Sequence, residues 1–334
     1  MKDIQKATGL GLATISKYIN GGPVRPQNRK LLDEAVAALG YRMDDTGRAL
    51  KTRRTHTVGV LIPELSNLFA TTIVSGVEDA LRQRGYGVLV CDCRSDEALE
   101  REALEFLLSK RVDGILTLPL CPSGDHLEPA ERAGVPVVLI DRKVERRGLD
   151  CVLIDNRVAA LEAVNRLIAL GHRRIGLICG QDDIFTFRER RAGYRDALLA
   201  AGLQPDPALD TAVAFSLNGG YGECKRLLAL PDPPTAVFAT NHEMTLGAWI
   251  ALQESGLRIP DQLSFIGFDN EEMARAMTPR LTTVCQPLAQ IAQEATALLL
   301  AAMERGQTTH RTVILDATLR EGGSAGQVPE RIYR

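Results

Sequence analysis

The chain has 334 residues, 45% of them apolar and only 4% aromatic, and its formal net charge is −2. That length supports more than one domain with an ample core, and no run of about twenty apolar residues marks a membrane span. The near-neutral total hides an asymmetry. Residues 1–57 hold eleven Lys and Arg against five acids, while the remainder holds 29 against 37. A basic head on an acidic body is the pattern of a polyanion-binding module carried by something that does not bind polyanions.

The N-terminus lacks a signal-peptide apolar core. The seven cysteines include no C-x-x-C pair and sit mostly in apolar runs, as reduced thiols of a cytoplasmic protein would. Cys91 and Cys93 have no accompanying His–Cys partner set, so no metal and no other cofactor is expected.

Asp3–Thr8 sets Ile4 and Ala7 three apart, and Gly9 sits where two helices meet at a steep angle. Leu12–Asn20 then reads as a short helix with Ile15 and Ile19 buried and Leu12, Ala13, Ser16 and Lys17 facing out. Small and hydroxyl side chains beside a lysine suit close approach to bases and phosphates. A third helix opens at Pro26, with Leu31, Leu32, Ala35, Val36 and Leu39 at helical spacing up to Gly40. Residues 1–44 thus form a three-helix headpiece; an ordinary helical bundle with solvated lysines is the other reading. Residues 45–57 are polar and basic and read as a hinge. Leu50, between Arg48 and Lys51, suits either a wedge driven into the minor groove on binding or a contact with the body.

From Val58 strand and helix alternate, as in a parallel, doubly wound α/β sheet. Strands are expected at Val58–Ile62, Val88–Val90, Ile115–Leu118 and Val137–Ile140, with helices at Ile73–Arg84 and Glu97–Ser109. A break is read at Asp150–Asp155, followed by a helix at Arg157–Leu170. An internal echo follows: Val58–Ile62 is answered by Ile175–Cys179, Gly76 by Gly193, Asp79-Ala80-Leu81 by Asp196-Ala197-Leu198, and Gly85 by Gly202, each at matching spacing. Further elements are expected at Ala236–Ala239, Glu243–Gly256, Ser264–Phe268, Ile291–Met303 and Val313–Leu315. Two similar lobes are implied within 58–334, the first about 58–154 and 284–315, the second about 155–283 and 316–334. Their cleft lies outside the carboxyl ends of the strands.

The assembled pattern resembles the lactose/galactose-repressor (LacI/GalR) family of bacterial transcription regulators over nearly the whole chain. It is carried by Lys2-Asp3-Ile4, Ala7, Gly9, Thr14–Asn20, Arg29 and Gly40-Tyr41, then Val112–Ile115, Val137–Asp141 and Gly171–Gly176. Pro234–Phe238, Ile259–Asp261, Ile266–Asp269 and Leu281–Thr283 continue it. The resemblance implies a helix-turn-helix headpiece on a two-lobed, periplasmic-binding-protein-like core, acting as a homodimer (possible tetramer) on near-palindromic operator DNA.

By that resemblance Leu12, Ala13 and Lys17 fall at base-reading positions. Thr14, Ser16 and Asn20 fall at phosphate contacts and the helix end, Arg29 and Arg48 accompany them, and Leu50 falls on the intercalating hinge leucine. Gly11 stands where a serine is usual, removing an N-cap worth ~1 kcal/mol, and Gly47 where an alanine is usual, weakening a hinge helix by ~1 kcal/mol. Effector contacts are implied at Phe69, Asp155, Thr186, Arg190, Phe215, Asn241, His242 and Asp269. Polar groups opposed by aromatics favour a sugar or sugar acid, with a nucleobase or nucleoside as the alternative, and the effector either releasing DNA or acting as corepressor. A cytosolic sugar-binding protein or a metabolite enzyme is the remote alternative; no phosphate loop, G-x-S-x-G elbow or H-E-x-x-H supports an enzyme.

Overall fold

Ile4, Ile15, Leu32 and Ala35 bury one another at the centre of three short helices, α1 (Lys2–Thr8), α2 (Leu12–Ile19) and α3 (Pro26–Ala38). The computed structural model describes residues 1–19, 22–40, 54–145, 148–306 and 308–328. The chain divides into one unit at Met1–Thr55 and another at His56–Arg334. In the first unit Gly9 takes a positive φ of 68° at the end of α1, a turn that a side chain would strain. The stripe expected on α3 is narrower than its spacing implied. Leu32 and Ala35 are buried, but Leu31 and Leu39 are exposed, because two neighbouring helices cover only one narrow face of a third. The Tyr18 hydroxyl donates to Asp33, tying α2 to α3.

The second unit runs β1 (Thr57–Ile62), α4 (Leu68–Arg82), β2 (Gly87–Asp92), α5 (Glu97–Ser109), β3 (Gly114–Thr117), α6 (Glu128–Arg132), β4 (Val137–Ile140) and β5 (Asp150–Ile154). It continues through α7 (Asn156–Ala169), β6 (Ile175–Cys179), α8 (Phe185–Ala200), β7 (Asp210–Ala212), α9 (Leu217–Leu228), β8 (Ala236–Ala239) and α10 (His242–Ser255). It ends with β9 (Ser264–Phe268), α11 (Glu271–Ala276), β10 (Thr282–Cys285), α12 (Leu288–Arg305), β11 (Thr312–Leu315) and β12 (Thr318–Arg320). One sheet has the order β11-β5-β4-β3-β1-β2, the other β12-β10-β9-β8-β6-β7. All pairs are parallel except β10 with β12. The chain passes between lobes after β5, β10 and β11. Because β10 extends to Cys285, the second of these crossings falls slightly later than the sequence pattern suggested.

The segment read as a break is a strand. β5 is buried throughout despite beginning with Asp150, whose carboxylate accepts from Thr309 Oγ1 at 2.9 Å and the Arg311 amide at 2.7 Å. Those donors arrive from residues far along the chain, so the charge looked exposed from its neighbours alone. β7 and β12, three residues each, lie at sheet edges and carry too little apolar pattern to be read.

The internal echo has a packing origin. Gly76 lets α4 approach α12, where an added Cβ would lie 2.8 Å from the Ala292 Cβ. Gly193 lets α8 approach α7, where it would lie 2.1 Å from the Arg157 carbonyl oxygen. The pair α9 and α10 is closer still, since a Cβ on Gly247 would lie 1.9 Å from the Leu217 carbonyl oxygen. Gly247→Ala is therefore expected to destabilise by about 1–3 kcal/mol or more through overpacking. Gly222→Ala, where the added carbon meets nothing within 4 Å, should leave the melting temperature level or raise it. Thermal melts of the two variants check this.

Candidate effector cleft and nucleic-acid interface

Both sheets carry their loops at the carboxyl ends of the strands, and order 2-1-3-4-5 in each lobe opens a crevice there. From the first lobe Pro63, Asn67, Phe69, Ala70, Leu118, Asp141 and Arg142 line the cleft. From the second come Thr186, Phe187, Arg190, Phe215, Asn241, His242, Asp269 and Gln286. Phe69, Thr186, Arg190, Phe215, Asn241, His242 and Asp269 were expected there from the sequence.

Arg190 is the hub. It projects from α8, is 4% exposed, donates from Nε to Asn156 Oδ1 at 2.7 Å and from Nη1 to the Thr240 carbonyl, and lies with its guanidinium 3.8 Å from the Phe268 ring centroid. Stacking on one face and hydrogen bonds along one edge fix the planar fork before any ligand arrives. Asp269 follows β9 with φ 63°, and both its carboxylate oxygens accept from Gln286 Nε2, at 2.9 and 3.0 Å. Burial raises its pKa to about 6, partly offset by Arg190 and the Gln286 bond. Asp141 follows β4 with φ 67° and faces Arg142, Nε to Oδ2 3.8 Å. Burial raises the Asp141 pKa and lowers that of Arg142, and each partly offsets the shift of the other.

Two amide atoms in the cleft are buried and have no hydrogen-bond partner, Asn241 Nδ2 and Gln286 Oε1. Asn241 spends its Oδ1 on capping α10 through the Met244 amide at 2.9 Å, which turns the Nδ2 donor toward the cleft. A buried donor and a buried acceptor left open are costly unless something else satisfies them. Burial, then Arg190, lowers the His242 pKa, which favours the neutral ring. Phe187 and Phe215 meet edge to face at 5.3 Å between centroids, and Phe69 lies on the opposite wall. Asn67 reaches from the first lobe to Glu243 of the second, Nδ2 to Oε1 3.5 Å.

Asp155 does not line this cleft. Its carboxylate caps α7 by accepting from the Val158 amide at 3.0 Å, and the next residue, Asn156, supplies the side chain that meets Arg190. Asn67, Asp141, Arg142, Phe187 and Gln286 were not anticipated as cleft residues. A signal for Asp141 was present, since β4 and β9 hold equivalent places in the two sheets, and VVLID and IGFD both end in aspartate.

In the first unit Leu12, Ala13 and Lys17 of α2 are exposed, with Thr14 and Ser16 half-buried. Arg29 is exposed on α3. Asn20, Arg48 and Leu50 lie outside the described residues. Among the described residues no group of three His, Cys, Asp or Glu is placed to hold a metal, and no helix is long and apolar enough to cross a membrane.

A model of the periplasmic binding protein-like domain matches residues 164–325. The HTH-type transcriptional repressor CytR of Escherichia coli is 33% identical, across 98% of this chain and 97% of that one. The ribose operon repressor of Escherichia coli is 34% identical across 97% and 99%. The chain belongs to the LacI family of transcription regulators. Among solved structures, a complex of the regulator CelR with cellobiose has a TM-score of 0.74 and 33% identity, covering 97% of this chain and 98% of that one. A LacI family regulator from Enterococcus faecium with bound ribose has a TM-score of 0.74 and 29% identity, over 81% and 98%. This LacI-family chain is accordingly a DNA-binding transcription regulator with a periplasmic-binding-protein-like body, and not an enzyme.

Proposed function

We propose that this regulator is a cytoplasmic homodimeric repressor whose effector is a small neutral sugar of the ribose class. One observation carries the reading. Asp141 and Asp269 are matched by Arg142 and Arg190, so the cleft holds two carboxylates against two guanidinium groups and has no cation to spare for an acidic ligand. Carboxylates accept from hydroxyls and guanidinium groups donate to them. The open Asn241 donor and Gln286 acceptor add one site of each kind, and phenyl rings cover the faces of a sugar ring. The ribose operon repressor and the ribose-bound family member support the same class.

Control follows from linkage. A sugar that touches both lobes binds the closed arrangement better, and occupancy shifts only as far as that difference in affinity allows. A tenfold change in operator occupancy needs ~1.4 kcal/mol. The proposed hinge at 45–57 and the operator contacts of Leu12, Ala13, Thr14, Ser16, Lys17, Asn20, Arg29, Arg48 and Leu50 carry that change to the duplex.

The test is a thermal-shift comparison of ribose, a sugar acid (gluconate) and a ribonucleoside on the purified full-length protein. Ribose at a hundred times its Kd is expected to stabilise by ~2.7 kcal/mol, with gluconate inert. A shift with gluconate and none with ribose would overturn the neutral-sugar reading.

A further inference from the structure

The headpiece exposes Leu31 and Leu39 on and just past α3, and on α2 it exposes one large apolar side chain, Leu12. Its core uses Ile4, Ile15, Leu32 and Ala35, with Leu10, Tyr18, Ile19 and Val36 packed around them. Leu12 is absent from that cluster. It opens α2 and is 45% exposed, beside exposed Ala13 and Lys17. The surroundings are basic, since the described part of this unit carries Lys2, Lys6, Lys17, Arg25, Arg29, Lys30 and Arg54 against Asp3, Asp33 and Glu34. That charge complements a nucleic-acid backbone rather than an acid-poor protein face.

In a helix-turn-helix the first residues of the second helix meet base edges in the major groove. Reading of guanine or adenine there uses paired hydrogen bonds from Arg, Lys, Asn or Gln. From Leu12 to Ile19 the helix has no Arg, Asn or Gln, and Lys17 is its one cation. The major groove presents one apolar feature, the C5-methyl group of thymine, which cytosine lacks.

Resting on the assignment of this unit as the DNA reader, we infer that Leu12 and Ala13 recognise the operator half-site through thymine methyl groups, while Lys17 supplies the polar contact to a neighbouring guanine. The half-site is then richest in thymine where the start of α2 sits. Its specificity there comes from excluded water and van der Waals contact, not from paired hydrogen bonds.

The experiment uses the full-length protein and a library of random-sequence duplexes, selected with and without ribose. The enriched duplex is resynthesised with each half-site thymine replaced, one at a time, by deoxyuridine, which removes the methyl and nothing else. Wild type is expected to lose about four-fold in affinity at one or two positions, the effect of withdrawing one methyl-sized group from a buried contact. Leu12→Ala, a change on an exposed residue, should erase the deoxyuridine effect at its position. Lys17→Ala should weaken binding yet keep that effect. Equal binding of thymine and deoxyuridine duplexes at every position overturns the inference, as does an undiminished effect in both Leu12→Ala and Ala13→Gly. Failure of any duplex to enrich in either selection overturns the DNA-reader assignment itself, and this shows before any base is replaced.

Discussion

Arg190→Ala is expected to abolish the response to ribose, with a loss of at least about 100-fold in sugar affinity, while operator binding without sugar persists. The charge of the guanidinium acts on both Asp269 and Asp141. Its bonds to Asn156 and the Thr240 carbonyl hold a fork ready for hydroxyl oxygens, and a hydrogen bond from a charged donor contributes roughly 1.5–3 kcal/mol. Removal also takes away the positive charge that partly offsets the burial of Asp269, so the variant should be less stable as well. Arg190→Lys separates the two effects. It restores a positive charge near Asp269, so the fold should recover most of its melting temperature, but a point-like ammonium does not reproduce the planar fork. Calorimetric titration with ribose should therefore find the lysine variant folded and still weakened by ten-fold or more. Wild-type affinity in that variant would remove Arg190 from the sugar contacts and leave it a purely structural cation.

Why Arg190 was legible and Arg142 was not is instructive. Arg190 came from the family resemblance, at a position that follows the buried apolar strand IGLIC. Arg142 follows VVLID directly, in a connection with no periodicity, and its position depends on a backbone amide that turns back to the Ile140 carbonyl at 2.7 Å. A similar argument separates Asp155 from Asn156. Both stand at the start of α7, and a one-residue difference decides which caps the helix and which reaches the cleft. Apolar runs fix which face of the sheet is buried because their period is short and local. Strand-end chemistry depends on φ values of 67° at Asp141 and 63° at Asp269, set by contacts made across the lobe. The two-lobed body itself was legible because βα units repeat. β5 escaped because the groups that satisfy Asp150 lie some 160 residues away. The hinge reading at Arg48 and Leu50 lies outside the described residues.

Sugar affinity is expected to fall as pH drops below about 6, approaching ten-fold per pH unit. Burial raises the Asp269 pKa to about 6, so the empty cleft holds a carboxyl that is half protonated near that pH. Sugar hydroxyls donate to the ionised form, which means a bound sugar lowers the same pKa. Affinity is then greatest where the group is already ionised, above pH 7, and declines through pH 6 as each new complex must release a proton. The charged groups facing Asp269 are Arg190 and Asp141, with Gln286 and His242 beside them. Asp141, also raised by burial, acts in the same direction. His242 is lowered by burial and by Arg190, which disfavours its charged form as the pH falls. Stability of the empty protein runs the other way. A carboxyl with its folded pKa above the unfolded value of ~3.9 contributes stability that is fully present below pH 4 and lost as pH rises through 6. The ribose-induced rise in melting temperature should consequently grow between pH 5 and 7 while the unliganded melting temperature gains nothing from Asp269. In Asp269→Asn the step centred near pH 6 should be lost, at weaker overall affinity. A wild-type affinity flat from pH 5 to 7.5 would mean that Asp269 does not accept from the sugar.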